Sequence, residues 1–265
     1  MSWTLIVTLL VLGGLAAALA LVAWGVRWGS TAAERAASMP GDAYFAGGPR
    51  AFVAMTRAVD FAAPPATVWP WLAQLGRGAG WYSHNRLDNG GRESAHHLVS
   101  WIPPPRLGDA SAIGYLRHLV PGSELCWWAP GVPFLGAFAR AAVDIGLRPE
   151  GAGSRVVIRM SGDATGRMAR PALWAFRVID SLMAVRQLRG LRRRVEHHGA
   201  RTSDPERPET GARDQYQLYE VIWASGGRAG VPGREQAARW RQAALEAGVL
   251  APERGPRHLQ GSSSG

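Results

Sequence analysis

Between positions 81 and 89 the chain brings together Trp81, Tyr82, Ser83, His84, Asn85, Asp88 and Asn89, a run of side chains able to bind a ligand or move a proton. A carboxylate beside an imidazole fixes its tautomer and makes it an oriented base. His84 and Asp88 are therefore the candidate catalytic pair, and Trp81, Tyr82, His84 and Asp88 are candidate contacts to the polar end of a ligand. The same residue types also serve as packing anchors and turn formers, and this second reading is favoured because Asp and Asn are so often used in turns.

Arginines supply a second set of candidates. Arg117, next to His118, and Arg148, Arg155 and Arg159 lie in stretches that alternate like strands. An inward guanidinium would hold a carboxylate or phosphate, so Arg117 and Arg159 join the candidate ligand contacts. Against this, alternation puts Val156, Ile158 and Met160 on one face and Arg155, Val157 and Arg159 on the other, and an unpaired buried charge is costly. The pairs His96-His97 and His197-His198 are adjacent in sequence, and adjacent side chains do not converge on one ion, so no metal is expected. Cys126 sits in an apolar stretch without an activating neighbour and reads as packing. No nucleophile elbow and no dinucleotide fingerprint occur, and no cofactor is expected.

Composition narrows the chemistry further. Lysine and arginine total 30 and all are arginine, which excludes lysine Schiff bases and a phosphate-loop lysine. The net charge is +10, and Arg186, Arg189, Arg192, Arg193 and Arg194 crowd one segment. Cations there complement a helix C-terminus. The alternative is attraction of Arg27, Arg186, Arg189 and Arg193 to an anionic membrane surface, at about 1 kcal/mol per basic residue. No nucleic-acid-binding motif accompanies the charge, so no nucleic-acid partner is expected. One cysteine excludes an intrachain disulfide framework, and 47% hydrophobic against 19% charged residues excludes a disordered chain.

The elements that must position these groups follow from patterning. Trp3 to Val26 carries no charge over 24 residues and is flanked by Trp3, Trp24 and Trp28. It is long enough to span a bilayer, and it lacks the basic start and short core of a signal peptide. Arg27, Arg35, Arg50 and Arg57 follow it, which places the C-terminal part in the cytoplasm by the positive-inside rule. The expected organisation is an anchor at 1–28, a juxtamembrane linker at 29–50, a folded domain at 51–198, a flexible linker at 199–213, a helical extension at 214–250 and a disordered tail at 251–265. Within the domain, 52–61 reads as a strand and 66–75 as a short helix interrupted by Pro70. Strands at 115–120 and 124–128, and a hairpin of 143–148 and 155–160 with a loop longer than two residues, come next. A long amphipathic helix then runs from near Pro171 to about Val195, with Leu173, Phe176, Ile179 and Met183 near helical spacing.

Several motifs carry a resemblance. PGD at 40–42, TRAVDFAAPPATVWPWLAQLG at 56–76, GWYSHNRLDN at 80–89, SA at 94–95, Leu107-Gly108-Asp109 and the helix from Met168 to Glu196 resemble a bacterial branch of the SRPBCC or START-like superfamily, polyketide cyclase/dehydrase and lipid-transport like. The resemblance covers roughly 40–198. It implies an α+β helix-grip fold, a curved antiparallel sheet around a long C-terminal helix enclosing an apolar cavity, here preceded by one N-terminal transmembrane helix. The independent order of strand, helix, strands and long helix agrees. In that branch an aromatic and then an acidic residue follow GWYS, whereas here His84 and Asn85 stand there, so an acidic role at 85 is lost. The expected function is binding of an apolar small molecule or lipid. The alternatives are a cyclase or dehydratase using His84 and Asp88, and a tethered interaction module whose protein partner binds 212–247 through Tyr219, Ile222 and Trp240.

Overall fold

The computed structural model describes residues 2–45, 51–88, 93–100, 102–111 and 114–200, together with Gln242, which is helical. The expected linker, helical extension and tail beyond residue 200 otherwise lie outside the described residues.

Helix α1 spans Trp3–Gly25, capped by Ser2, whose Oγ accepts from the Leu5 amide at 3.4 Å. At 23 residues it extends about 34 Å, against about 30 Å of bilayer hydrocarbon. Among the described residues it is the one helix long and apolar enough to cross a membrane, and the apolar span is not buried by the rest of the protein. Only its last turn meets the rest of the protein. There Val22 and Val26 pack with Val53, Met55, Leu173 and Phe176.

Five longer strands and one short one form a single antiparallel sheet in the order β1-β6-β5-β4-β3-β2. They are β1 Ala51–Phe61, β2 Ala110–Ser111, β3 Gly114–Val120, β4 Glu124–Phe134, β5 Ala137–Glu150 and β6 Gly153–Thr165. Helices α3, Pro65–Ala73, and α4, Asn85–Asp88, lie in the connection between β1 and β2. Helix α5, Ala169–His198, closes the domain in a helix-grip-like arrangement, laid across the sheet's inner face. Its buried positions Leu173, Ala184, Leu188, Leu191 and Val195 recur at helical spacing. Leu188, Leu191 and Val195 meet the inward set of the strands, among them Val59, Trp127, Ile145, Val156 and Ile158, in the main core, while Leu173 joins Val53 and Met55 in a second cluster.

The strands reach further than periodicity indicates. The expected long loop between β5 and β6 is two residues, because pairing continues through Pro149↔Ser154 and Glu150↔Gly153. Pro149 lies beyond the last β4 pair, Glu124↔Gly146, where β5 has become an edge and a missing N–H is tolerated. A second hairpin joins β4 to β5 through Leu135 and Gly136, with φ of 45° and 74°, the two positive values that a tight primed turn demands. Helix α3 continues past Pro70 and stops at Ala73.

The described part of the segment read as a juxtamembrane linker, 29–45, is structured. Helix α2, Ala32–Ala36, opens with a capping box between Thr31 and Glu34, and a 3-10 turn follows at Pro40–Phe45. Both pack on the outer face of the sheet. Glu34 is 8% exposed and accepts from Arg155 Nε at 2.6 Å and from Arg148 Nη2 at 2.8 Å. Those hydrogen bonds, Arg155 first, hold its carboxyl far below the usual carboxylate range. Tyr44 stacks on Trp128 at 4.5 Å, and the Gly41 amide donates to Asp144 Oδ1 at 2.8 Å. Upstream of α2, the Trp28 carbonyl accepts from Ala58 N at 3.0 Å and Ser30 Oγ donates to the Thr56 carbonyl at 2.8 Å. The chain leaving α1 thus covers the open edge of β1, which would otherwise present unpaired backbone groups.

Candidate ligand-binding cavity

Between the sheet and α5 lies a cavity of about 210 Å³. The sheet supplies Trp127, Val143, Ile145, Ile158 and Met160, all from the inward set of alternating positions. Helix α5 supplies Phe176, Ile179, Met183, Ala184 and Gln187, one stripe at helical spacing. Leu75, Trp81 and Ser83 close the remaining side. The volume falls below the roughly 300–1,000 Å³ of sites that enclose a drug-sized ligand. It suits a single ring or one acyl tail.

One charged pair stands in this apolar wall. Arg57, on β1, is 1% exposed, and its Nη1 lies 2.6 Å from Asp180 Oδ2 on α5. Arg57 Nε donates to the Gly25 carbonyl, the C-terminus of α1, at 2.7 Å. A cation at a helix C-terminus opposes the negative end of the helix dipole. Burial pushes the Asp180 carboxyl above its ordinary value, and Arg57 offsets part of that rise. Gly25 also lies against α5, where a Cβ would come within 2.6 Å of Ser181 Cβ. The polar end of the cavity and the C-terminal end of α1 are therefore one cluster.

The 81–89 run divides between several places. Trp81 and Ser83 line the cavity, and Ser83 Oγ donates to the Met183 carbonyl at 2.9 Å. Tyr82 does not line it. It takes φ 60° and is buried, its hydroxyl accepts from Gln74 Nε2 at 2.9 Å, and its ring meets Trp71 edge-on at 5.9 Å. Arg194 covers that ring at 4.9 Å, so Tyr82 is packed away from this cavity's wall. His84 faces a separate groove between α1 and α5. Asp88 ends α4, and its side chain is outside the described residues, as is Asn89.

The arginine candidates lie away from the cavity. Arg117 is exposed on β3. Arg159 is buried on the outer face, where it donates to Thr56 Oγ1 at 3.0 Å, Asp42 Oδ2 at 3.0 Å and the carbonyls of Glu34, Ala37 and Arg35. Arg159 thus lies on the face opposite Ile158 and Met160, the side that alternation favoured over a ligand contact, and these acceptors satisfy a charge that would otherwise be costly to bury. Of the basic residues assigned to a membrane surface, Arg27, Arg186, Arg189 and Arg193 are exposed. The two histidine pairs meet each other: the His97 and His198 rings are 4.5 Å apart. Among the described residues no group of three or more His, Cys, Asp or Glu is placed to hold a metal. Burial pushes the Cys126 thiol well up, with Asp144 adding to the rise, so it is a poor nucleophile.

Sequence reasoning missed Arg57 and Asp180. Their signals were present. Arg57 interrupts the inward set Met55, Val59 and Phe61, and Asp180 is a single acid on the apolar stripe of an arginine-rich helix.

No family model matches the chain, and comparison with curated proteins gives no match. Several solved structures share a partial likeness over about half of it. Ms6760 from Mycobacterium smegmatis is 11% identical, covering 55% of this chain and 96% of its own, with a TM-score of 0.35. CV1439 from Chromobacterium violaceum is 16% identical over 52% and 96%, with a TM-score of 0.33. The AHSA1-like protein RHE_CH02687 from Rhizobium etli is 21% identical over 50% and 81%, with a TM-score of 0.26. At these scores the likeness carries no argument about function.

Proposed function

We propose that this chain is a membrane-anchored, START-like binding protein whose domain lies on the cytoplasmic side and holds a small apolar molecule, or one tail of a lipid, between sheet and α5. The observation that carries this reading is the cavity itself, apolar over most of its wall and polar at Arg57–Asp180, Ser83 and Gln187. Apolar burial supplies affinity and the few polar groups orient the ligand. Of the candidate contacts Trp81 lines this cavity, joined there by Ser83, Arg57 and Asp180. The anchor supports a lipidic ligand, since tethering raises the effective concentration of anything dissolved in the bilayer. Ile179 and Leu182, 47% and 52% exposed, flank Ser181 where α5 touches α1, so apolar surface adjoins the end of the anchor.

The test is mass spectrometry of the full chain extracted in mild detergent. A stoichiometric apolar compound, lost when Ala184→Phe fills the cavity, is the expected result. An empty protein that also fails to bind a fluorescent fatty acid at micromolar concentration overturns the reading.

A further inference from the structure

Outside the cavity, a groove of about 540 Å³ runs along the junction of α1 and α5. Its apolar wall is Leu21 and Trp24 of the anchor with Leu182 and Val185 of α5. Its polar wall is Arg186, Arg189, Arg192 and Arg193, with His84 at the rim and no acidic residue in the lining. Arg186, Arg189 and Arg193 stand at i, i+3 and i+7, so they share one helix face. Helix-dipole compensation accounts for basic residues near the end of α5 but not for their alignment beside the membrane helix.

We propose that this groove binds the headgroup of an anionic membrane phospholipid, with the acyl chains running along Leu21 into the bilayer. The proposal rests on the reading that α1 spans a membrane and is independent of the cavity ligand. Leu21 and Trp24 lie in the last turns of the anchor, so the groove sits where headgroups lie, and tryptophans favour that level. Arg189 stacks on Trp24 at 6.0 Å and on Trp28 at 5.4 Å, which fixes its guanidinium at the same height. Its charge has no carboxylate partner among the described residues, and Arg193 likewise has none, whereas Arg192 stands 3.8 Å from Glu196. A phosphodiester supplies the bidentate acceptor that these two guanidiniums lack. Zwitterionic lipids add a competing ammonium, so selectivity for net negative headgroups follows.

The full chain is reconstituted in nanodiscs of phosphatidylcholine with one fifth phosphatidylglycerol, re-extracted, and its retained lipid measured by native mass spectrometry. Carbonate extraction of the source membranes checks the anchoring separately, and a chain released by carbonate overturns the proposal at that premise while leaving the cavity untested by it. Phosphatidylglycerol enriched at least tenfold over its bulk fraction is the expected result. Arg189→Gln/Arg193→Gln should remove the enrichment, Arg193→Gln alone should lower it several-fold, and Arg167→Gln, on an exposed turn, should leave it unchanged. Equal retention of both lipids, retention unchanged in the double variant, or full displacement by millimolar inorganic phosphate would each overturn the proposal.

Discussion

Arg57 Nη1 stands 2.6 Å from Asp180 Oδ2, and the same guanidinium holds the carbonyl of Gly25 at 2.7 Å. One buried cation thus joins β1, α5 and the end of α1. Removing a single partner of a buried pair leaves an uncompensated charge and costs about 3–5 kcal/mol, while replacing both by apolar residues is often neutral. Asp180→Leu should therefore lower the denaturation midpoint sharply, and Arg57→Met/Asp180→Leu should recover much of the loss. Recovery stays incomplete because the Gly25 carbonyl loses its donor. Denaturant titration of the wild type, Arg57→Met, Asp180→Leu and the double variant in one detergent measures the coupling, and additive effects would contradict it.

Ala184 faces the cavity from α5 and is close to fully buried. Ala184→Phe fills space rather than displacing packed atoms, so its stability cost should stay at the low end of the roughly 1–3 kcal/mol typical of overpacking. Binding of a fluorescent fatty acid should fall at least tenfold. Trp174→Phe on the exposed side of α5 should leave binding unchanged. A normal affinity in Ala184→Phe would place the ligand elsewhere.

The order of elements was legible in sequence because period-2 and period-3.6 patterns survive in β1, β6 and α5. The outer-face role of 30–45 was not. Its short helices depend on Glu34, Asp42 and Gly41 finding Arg155, Arg159 and Asp144 more than 100 residues away in sequence. No local pattern records such partners. The β4–β5 hairpin was hidden because Leu135-Gly136 lacks the usual Asn or Asp signal. In the site, Trp81 was found by type, but His84 and Arg159 were assigned to a cavity that neither faces. A cluster of suitable side chains gives no direction for each of them, and a loop such as 81–84 sends consecutive residues to different surfaces.

Gly190 lies where α5 passes beneath the Trp81–His84 loop, and a Cβ there would fall on the Tyr82 carbonyl oxygen. Alanine in a helix interior gains about 1 kcal/mol over glycine by propensity. The clash with backbone outweighs this, because neither the helix nor the loop can yield as a side-chain tip would. Gly190→Ala should destabilise by roughly 1–3 kcal/mol, and it should perturb Trp81 fluorescence and ligand affinity together. A stabilised variant with unchanged affinity would contradict the close approach.

Glu34 is the acid shared by Arg148 and Arg155, and Asp60 is a second partner of Arg155 at 2.7 Å. Glu34→Gln keeps the shape and removes the charge, so it should cost about 3 kcal/mol, reduced to the extent that Asp60 compensates. The carboxyl is held below its unfolded value of 4.5, so its contribution is present above that pH and is lost as acid protonates the folded form. The wild-type midpoint should therefore drop below pH 4, and this drop should shrink in Glu34→Gln. Proteolysis at neutral pH should also open the 30–45 segment faster in the variant.

The end of α5 carries a dependence at milder pH. His198 lies 4.5 Å from the His97 ring and 6.5 Å from that of His197, while His96 and Arg194 add positive charge nearby. Burial first, and then these neighbours, lower the His198 pKa from its ordinary 6.5. The folded state therefore takes up the proton less readily than the unfolded chain. Stability from this group is complete above about pH 6.5 and is lost as pH falls through the lowered folded value. The strain falls on the helix terminus, where Trp71 Nε1 donates to the Gly199 carbonyl at 2.8 Å and fastens the chain to α3. Asp144 and Asp180, raised by burial, act with the opposite sign in acid, so the comparison must be between variants. The thermal midpoint of the full chain should fall between pH 7.5 and 5, and His198→Asn should flatten that fall. Amide exchange should speed up at 195–199 before it does at 172–188. An equal drop in His198→Asn, or uniform exchange along α5, would remove His198 as the source of the pH response, and the raised carboxyls of Asp144 and Asp180, whose sign is opposite, could not take its place.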